Sequence, residues 1–442
     1  MSIEWMIAIG VMALVIFFSL RNTKKESEKA KRVLEDSVAS GQNLPPSLHP
    51  IIDPTECIGC GACVDACPEK SILGLIYGRA SLIQASSCVG HGACKSACPA
   101  VAVTLVLGTQ SHGVTIPNLD SKYQTTVEGL HVAGELGGMG LIRNATRQGM
   151  LAVRYMSEKL LERPPETPSS VYDLLVVGFG PAGISASLAA KELGVSCIAV
   201  EQGEEFGGAI ASFPRKKLVM GTDVIFPVYG RIKARTMKKE ELLDTLKDAV
   251  DKHDLPVQYG FQVSSINYNE GGWFHVGNGE TEICARRVLL AIGRRGSPRT
   301  LDVPGEELNK VAYSLRGPEE YAGDKCLIVG GGDSALEAAC MLSEMPNTEV
   351  TLCYRRERLW RAKKPNIEKT MRCAEEGKIK LIMEASPTEI TPTTVRLDVK
   401  GEEVEIANDS VFVFIGGKLP IGFLEASGVE MRTVYGEELL AV

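Results

Sequence analysis

Outside one dense stretch, the sequence lacks any pair of cysteines spaced to work together. Of the 13 cysteines in 442 residues, seven crowd between Cys57 and Cys98. The others (Cys197, Cys284, Cys326, Cys340, Cys353 and Cys373) include no two separated by two or four residues. That excludes a local redox dithiol of the CxxC kind and argues against a disulfide scaffold. Basic residues do not dominate either. With 48 Lys and Arg against 55 Asp and Glu, the net charge is -7, which speaks against a nucleic-acid surface. Nor does positive charge precede the apolar N-terminal run, as it would in a cleaved secretion signal. No His or carboxylate is marked out as a general acid or base, and none is assigned a catalytic role.

The N-terminal run, IEWMIAIGVMALVIFFSL from Ile3 to Leu20, is apolar except for Glu4. Eighteen helical residues at ~1.5 Å each cover ~27 Å, just enough for a hydrocarbon core. Arg21, Lys24, Lys25, Lys29, Lys31 and Arg32 all follow it. The positive-inside rule then predicts a single-pass anchor in the cell inner membrane, residues 1–22, with the catalytic bulk in the cytoplasm. Residues 23–50 read as a charged, exposed helical stalk ending in the linker GQNLPPSLHP.

Two related halves follow, CIGCGACVDACP from Cys57 to Pro68 and CVGHGACKSACP from Cys88 to Pro99. Glycines at 59 and 61 allow tight turns that bring thiolates together without Cβ clashes. Residues 51–108 resemble the bacterial two-cluster ferredoxins. The resemblance implies one [4Fe–4S] cluster on Cys57, Cys60, Cys63 and Cys98, and a second cluster on Cys67, Cys88 and Cys94. At the fourth position of the second set stands His91, where the family usually has cysteine. A His-ligated [4Fe–4S] cluster, a [3Fe–4S] cluster and a Cys3His zinc site are the three readings of that departure. An imidazole ligand would raise the second cluster's potential, making it the more easily reduced.

From Tyr172 an apolar strand enters Gly178-x-Gly180-Pro181-Ala182-Gly183, then an apolar helix, then a strand ending in Glu201. The first glycine makes the turn, the second admits a pyrophosphate, the third lets helix pack on strand, and the acid accepts from a ribose hydroxyl. A second fingerprint runs Gly330-x-Gly332-Asp333-Ser334-Ala335. Its following strand ends not in an acid but in Tyr354, Arg355 and Arg356, with Arg361 nearby. Guanidinium groups there would hold a 2′-phosphate, so the first site reads as FAD and the second as NADPH.

With GGAIASFPRKKLVM around Gly208, RRVLLAIGRRGSPR and NDSVFVFIGGKLP, these motifs resemble the thioredoxin-reductase-like flavoproteins, especially the branch that includes bacillithiol disulfide reductases. In that family a segment like GLHVAGELGGMGLIRNATRQG follows the NADPH domain and completes the flavin site. Here it precedes the first fingerprint, at Gly129–Gly149. The implied arrangement is a circular permutation: residues 109–162 as the second FAD half, 171–296 as the first, and 297–442 as the NADPH domain. By resemblance Gly134 and Glu135 approach the ribityl–pyrophosphate region, and Arg143, Asn144 and Ala145 open a helix facing the flavin pyrimidine edge. The expected fold is α/β: two Rossmann-like dinucleotide-binding domains, a small α+β ferredoxin domain and an N-terminal transmembrane helix.

Lacking a dithiol, such a chain is expected to send NADPH-derived electrons from FAD to the clusters and on to a partner, protein or quinone, in either direction. The clusters are expected beside the flavin domain, since only a short segment near Val101–Thr115 joins them. Two other readings are a disulfide reductase acting on a small thiol compound and a redox-sensing flavoprotein without turnover. Dimers are common in the family resembled.

Overall fold

The computed structural model describes residues 3–438, apart from 46–47, 139, 214, 216, 221–222, 234–236, 270, 295–296, 316 and 360–361. It forms two compact units. One runs to His112 and reclaims residues 435–438, and the other runs from Gly113 to Val434.

The first unit begins with one unbroken helix, α1 (Ile3–Ala39). Its apolar half, from Trp5 to Leu20, is exposed and long enough to cross a membrane. Its charged half differs from the exposed stalk expected. Ser27, Ala30 and Ser37 are buried, a stripe at helical spacing, of which Ser27 and Ala30 pack on the hairpin of β2 (Leu73–Ile76) and β3 (Arg79–Leu82). Gly74 makes the contact close: a Cβ there would lie 2.8 Å from that of Ala30. The two ends of the expected linker are structured: Gln42 is buried and His49–Ile52 forms β1, antiparallel to β4 (Val103–Leu107). Residues 437–438 add an edge strand to β4.

In the second unit a seven-stranded sheet carries the first fingerprint. Its order is Val257–Gln258, β8 (Cys197–Val200), β7 (Tyr172–Val177), the strand Glu282–Leu290, Phe274–Gly277 and Ser265–Tyr268. The front segment belongs to this sheet. Strand β6 (Leu130–Val132) lies parallel to Glu282–Leu290, with Leu130 opposite Val288 and Val132 opposite Leu290. Helix α4 (Ile142–Tyr155) packs on α6 (Pro181–Leu193). The two helices meet so closely that a Cβ on Gly149 would lie 2.1 Å from the Ala182 carbonyl oxygen.

A buried arginine fixes the end of the front segment. From the strand Glu282–Leu290, Arg286 donates to the carbonyls of Lys159, Leu160 and Glu162 and to Asp173. Those carbonyls end α5 (Ser157–Leu161), where the helix leaves its last acceptors unpaired and a cation is favoured. Asp173 also accepts from Arg163 and from the backbone and hydroxyl of Ser196. These donors hold its carboxyl below the usual carboxylate range despite burial.

The second fingerprint sits on a five-stranded parallel sheet ordered Val311–Ala312, Ser410–Val413, Lys325–Val329, Glu349–Tyr354 and Ile379–Met383. The NADPH portion does not run to the C-terminus as expected. Leu424 and Val429 are buried in the core of the seven-stranded sheet, and Met431–Val434 pairs antiparallel with β5 (Val114–Pro117). The chain's return to the seven-stranded sheet and β5 reflects the apolar spacing of Leu424, Val429 and Val434, all buried.

Two measurements test this packing. Arg286→Ala strips three helix-end carbonyls of their donor and Asp173 of its buried guanidinium partner, and is expected to cost about 3–5 kcal/mol in denaturant unfolding. His131, in the middle of β6, is buried with no partner for Nδ1, and burial pushes its imidazole down to about 4. The unfolded chain binds a proton near pH 6.5 that the folded chain refuses, so this contribution is whole above that pH and is lost as pH falls. The expected loss between pH 6.5 and 5 is about 2 kcal/mol, and His131→Gln should remove that slope.

Candidate functional site

A cleft of about 2100 Å³ runs through the second unit past both fingerprints. Its lining includes Gly134, Glu135, Ala145, Gly178, Gly180, Pro181, Ala182, Glu201 and Gly208, and also Gly330, Gly332, Asp333, Ser334 and Arg355. The front segment and the two later motifs therefore share one cavity.

The glycines divide by physical role. A Cβ on Gly183 would lie 2.0 Å from the Gly178 carbonyl, and one on Gly178 or Gly330 would strike backbone at 2.7 or 2.4 Å. These three are needed by the fold itself. A Cβ on Gly180 or Gly332 would meet nothing within 4 Å. Both cap helices, α6 and Asp333–Leu342, and both line the cleft where helix-start amides and dipole favour an anion. Room plus amides is what a dinucleotide pyrophosphate needs, so the residues present fit FAD and NADPH.

Glu201 is buried at the floor. Its Oε2 accepts from the Phe179 amide at 2.8 Å and its Oε1 from the Gly203 amide at 3.1 Å. The acid thus ties strand end to glycine turn and keeps a lone pair on each oxygen for a hydroxyl. Gly134 is held by its amide donating to Gln148 Oε1 at 2.8 Å. Arg294 lies near enough to Glu135 for their charges to interact, while its own burial pulls the guanidinium down. Asp333 lines the cleft, but its Oδ1 accepts from the Lys363 amide and Asn366 Nδ2, so it braces the helix start. Ala335 is buried beneath the turn.

Not every expected residue reaches the cavity. Arg355 does; Arg356, also exposed, is not among the lining residues. Arg361 lies outside the described residues. Helix α4 starts at Ile142, as expected for a helix opening near Arg143, but of Arg143, Asn144 and Ala145 only Ala145 lines the cleft. Gly416 and Lys418, from the NDSVFVFIGGKLP stretch, also line it, as do Phe261 and Ser264, whose surrounding sequence carries no motif.

In the first unit, Cys57, Cys60, Cys63 and Cys98 line one small cavity with Ile52, Ile58 and Ala102. Cys98 reaches it from the second motif, the crossover the ferredoxin likeness implies. Burial raises the Cys94 thiol to about 11, with Cys88 and Cys67 adding to the effect, which groups the second set likewise. The two halves repeat each other's backbone. Gly59 and Gly90 have φ of 70° and 77°, Gly61 and Gly92 both 78°, and a short helix follows each, α2 (Ala62–Ala66) and α3 (Ala93–Ser96). His91 therefore holds the chain position that Cys60 holds in the first half. Among the described residues no three His, Cys, Asp or Glu side chains converge as one metal ion requires.

The scattered cysteines are mostly inert. Burial pushes Cys197, Cys326 and Cys353 up to about 12. The fold does bring Cys340 and Cys373 within hydrogen-bonding reach, from neighbouring helices, a proximity that sequence spacing does not reveal. Both are buried in the NADPH portion's core.

A family model for pyridine nucleotide-disulphide oxidoreductases matches residues 175–438, and one for 4Fe-4S dicluster domains matches residues 49–99. The ferredoxin–NADP reductase of Ignicoccus hospitalis is 28% identical over 289 residues, 61% of this chain and 84% of that protein. Ferredoxin–NADP reductase 2 of Bacillus pumilus is 26% identical over 275 residues, 60% and 78% of the two chains. The bacillithiol disulfide reductase Bdr (YpdA) from Staphylococcus aureus shares the fold with a TM-score of 0.54 at 24% identity, over 61% of this chain and 86% of that one. The family match begins inside β7, so the place of the front segment rests on the pairing and packing described above.

The glycine division predicts a split outcome. Gly180→Val should fold with near-parental melting but lose bound FAD, read by visible absorbance. Gly183→Val should fail to accumulate as folded protein. Arg355→Glu should raise the KM for NADPH about 10- to 100-fold, the scale of one charge-assisted contact, and change that for NADH much less.

Proposed function

This chain belongs to the pyridine nucleotide-disulphide oxidoreductase family and carries a 4Fe-4S dicluster domain, and on that premise we propose that it moves electrons between NADPH and an acceptor at the membrane, by way of FAD and two clusters. It is an FAD-dependent NAD(P)H oxidoreductase with iron–sulfur clusters; the route, the anchor and the acceptor are our reading. The observation that carries the reading is the shared cleft, in which the front segment, the first fingerprint and the second fingerprint meet, in a chain whose thiol pairs are buried away from it.

When bound, FAD would supply the chemistry that links hydride exchange with NADPH to single-electron exchange, and the clusters would supply one-electron carriage. The protein's own part is to hold and orient. The amides at Gly180 and Gly332 receive the two pyrophosphates, Glu201 and Glu135 offer acceptors to hydroxyls, and Arg355 supplies the charge for a 2′-phosphate. The opening turn of α4 at Ala145 directs its positive end into the cleft, where it favours negative charge on a reduced ring. Cys57, Cys60, Cys63 and Cys98 hold one cluster; Cys67, Cys88 and Cys94, with His91, hold the other. The short chain between β4 and β5, from Leu107 to Val114, supports exchange between the cluster unit and the flavin.

The names of the curated relatives support ferredoxin-type electron exchange, here with the ferredoxin fused in the same chain. The long apolar first half of α1, followed by its basic residues, supports a single-pass inner-membrane anchor with the rest in the cytoplasm.

Anaerobic titration with NADPH, followed by visible and EPR spectra, tests the route. Flavin bleaching together with reduced-cluster signals is expected; clusters that stay oxidised while flavin is reduced would refute it. Cys57→Ala should abolish acceptor reduction but leave flavin reduction by NADPH intact. Disulfide turnover that survives Cys57→Ala would instead favour a small-disulfide reductase. His91→Cys should lower the potential of one cluster by on the order of 100 mV.

A further inference from the structure

We infer that the cluster set held by Cys57, Cys60, Cys63 and Cys98 is the membrane-side terminal of the cluster pair, presented to a quinone dissolved in the bilayer. The inference rests on the anchor proposed above, and its geometry lies wholly within the first unit.

The continuous helix α1 serves as a ruler. Its apolar run ends at Leu20, and Ser27 lies seven residues on, about 10 Å along the axis. The headgroup layer extends about 6 Å beyond the hydrocarbon, so Ser27 stands just above it. At that level the Ser27 hydroxyl accepts from the Tyr77 amide at 2.9 Å. Tyr77 and Gly78 form the two-residue turn between β2 and β3, both with positive φ. One helical turn higher, Ala30 meets Gly74. At the top, beyond Ala39, the carbonyl of Gln42 accepts from the Ser86 amide. The β2–β3 hairpin therefore runs down the helix and puts its turn at the membrane end.

Each cluster loop is attached to a different end of this ruler. The first packs on the low turn: a Cβ on Gly59 would lie 2.0 Å from the Gly78 carbonyl, Arg79 donates to the Cys57 carbonyl, and the Ala80 amide lies 3.5 Å from Cys57 Sγ. The second packs on the high end. A Cβ on Gly90 would lie 2.8 Å from the Leu48 carbonyl, and Cys88 Sγ sits 3.8 Å from the same oxygen. From Ser27 to Ala39 the helix rises about 18 Å, so the two loops attach at different heights along it. A bilayer tilt of ~20° would alter these heights little.

The low loop is also apolar and open. Ile58 is 69% exposed, and Cys60 is the exposed cysteine of its set. An open apolar loop just above the headgroups suits a lipophilic acceptor, while Arg21, Lys24 and Lys25 on the helix meet the headgroups themselves. For each NADPH, one quinone takes two electrons, singly, and two protons: one equivalent to the hydride's own and one from solvent. NADP⁺ and quinol are the products.

The full chain in nanodiscs containing a long-chain benzoquinone and a Gd(III)-chelating lipid tests this. Cys60→Ser identifies which EPR signal belongs to the first set. That signal should relax faster with the Gd(III) lipid than the other; equal or reversed enhancement overturns the inference. A second variant inserts seven alanine-rich residues after Lys24, lifting the unit about 10 Å with nearly unchanged helical phase. Quinone reduction should then fall about tenfold or more, with NADPH-driven ferricyanide reduction unchanged. Undiminished quinone reduction overturns the inference. Release of the chain from membranes by alkaline carbonate would sink the anchor itself. Stable insertion with the wrong relaxation order would sink only the polarity of the clusters.

Discussion

The structure depends most on the docking of the front segment into the seven-stranded sheet. Strand β6 takes its place beside Glu282–Leu290, and α4 lies against α6 at a glycine contact that admits no side chain. A parallel strand cannot be joined to its neighbour by a tight turn, so β6 can arrive from far upstream as readily as from downstream. The sheet is indifferent to chain order, and backbone pairing with buried apolar surface decides the outcome. Arg286 completes the junction by capping the last carbonyls of α5 and neutralising Asp173 in a buried cluster.

That docking also governs the chemistry. Gly134 and the start of α4 reach the cleft only because β6 delivers the chain to the sheet's carboxyl edge, beside the first fingerprint. Ligands of open α/β sheets bind at that edge. One cavity then runs past both fingerprints, and among the described residues no dithiol lies in its lining. The cluster unit is rigid in its own way, since a single helix carries both the apolar run and the stripe that packs on the hairpin.

Much of this was legible in the sequence, for physical reasons that differ by element. The fingerprints are legible because their glycines answer to sterics: Gly178, Gly183 and Gly330 touch backbone, while Gly180 and Gly332 border open space. The turn at Gly134 is legible for the same reason, with φ of 86° and a Cβ there 3.2 Å from that of Ala182. The buried face of α1 was not, because Ser27, Ala30 and Ser37 are small or polar and hydropathy passes over them. The return of residues 424–434 to the seven-stranded sheet and β5 is not legible either, since short apolar positions without a fingerprint do not declare which sheet they join. Arg355 and Arg356 look equivalent in sequence, yet only the first lines the cleft. The closeness of Cys340 and Cys373 depends on helix packing, which spacing cannot report.

The most direct measurement of the central claim is flavin binding by two purified fragments. Residues 113–442 contain the front segment and should carry FAD in about equal molar amount, read from the visible spectrum. Residues 164–442 lack β6, α4 and α5 and should bind none under the same reconstitution. Stoichiometric FAD in the shorter fragment would contradict the account, because the flavin site would then be complete without the piece that precedes it.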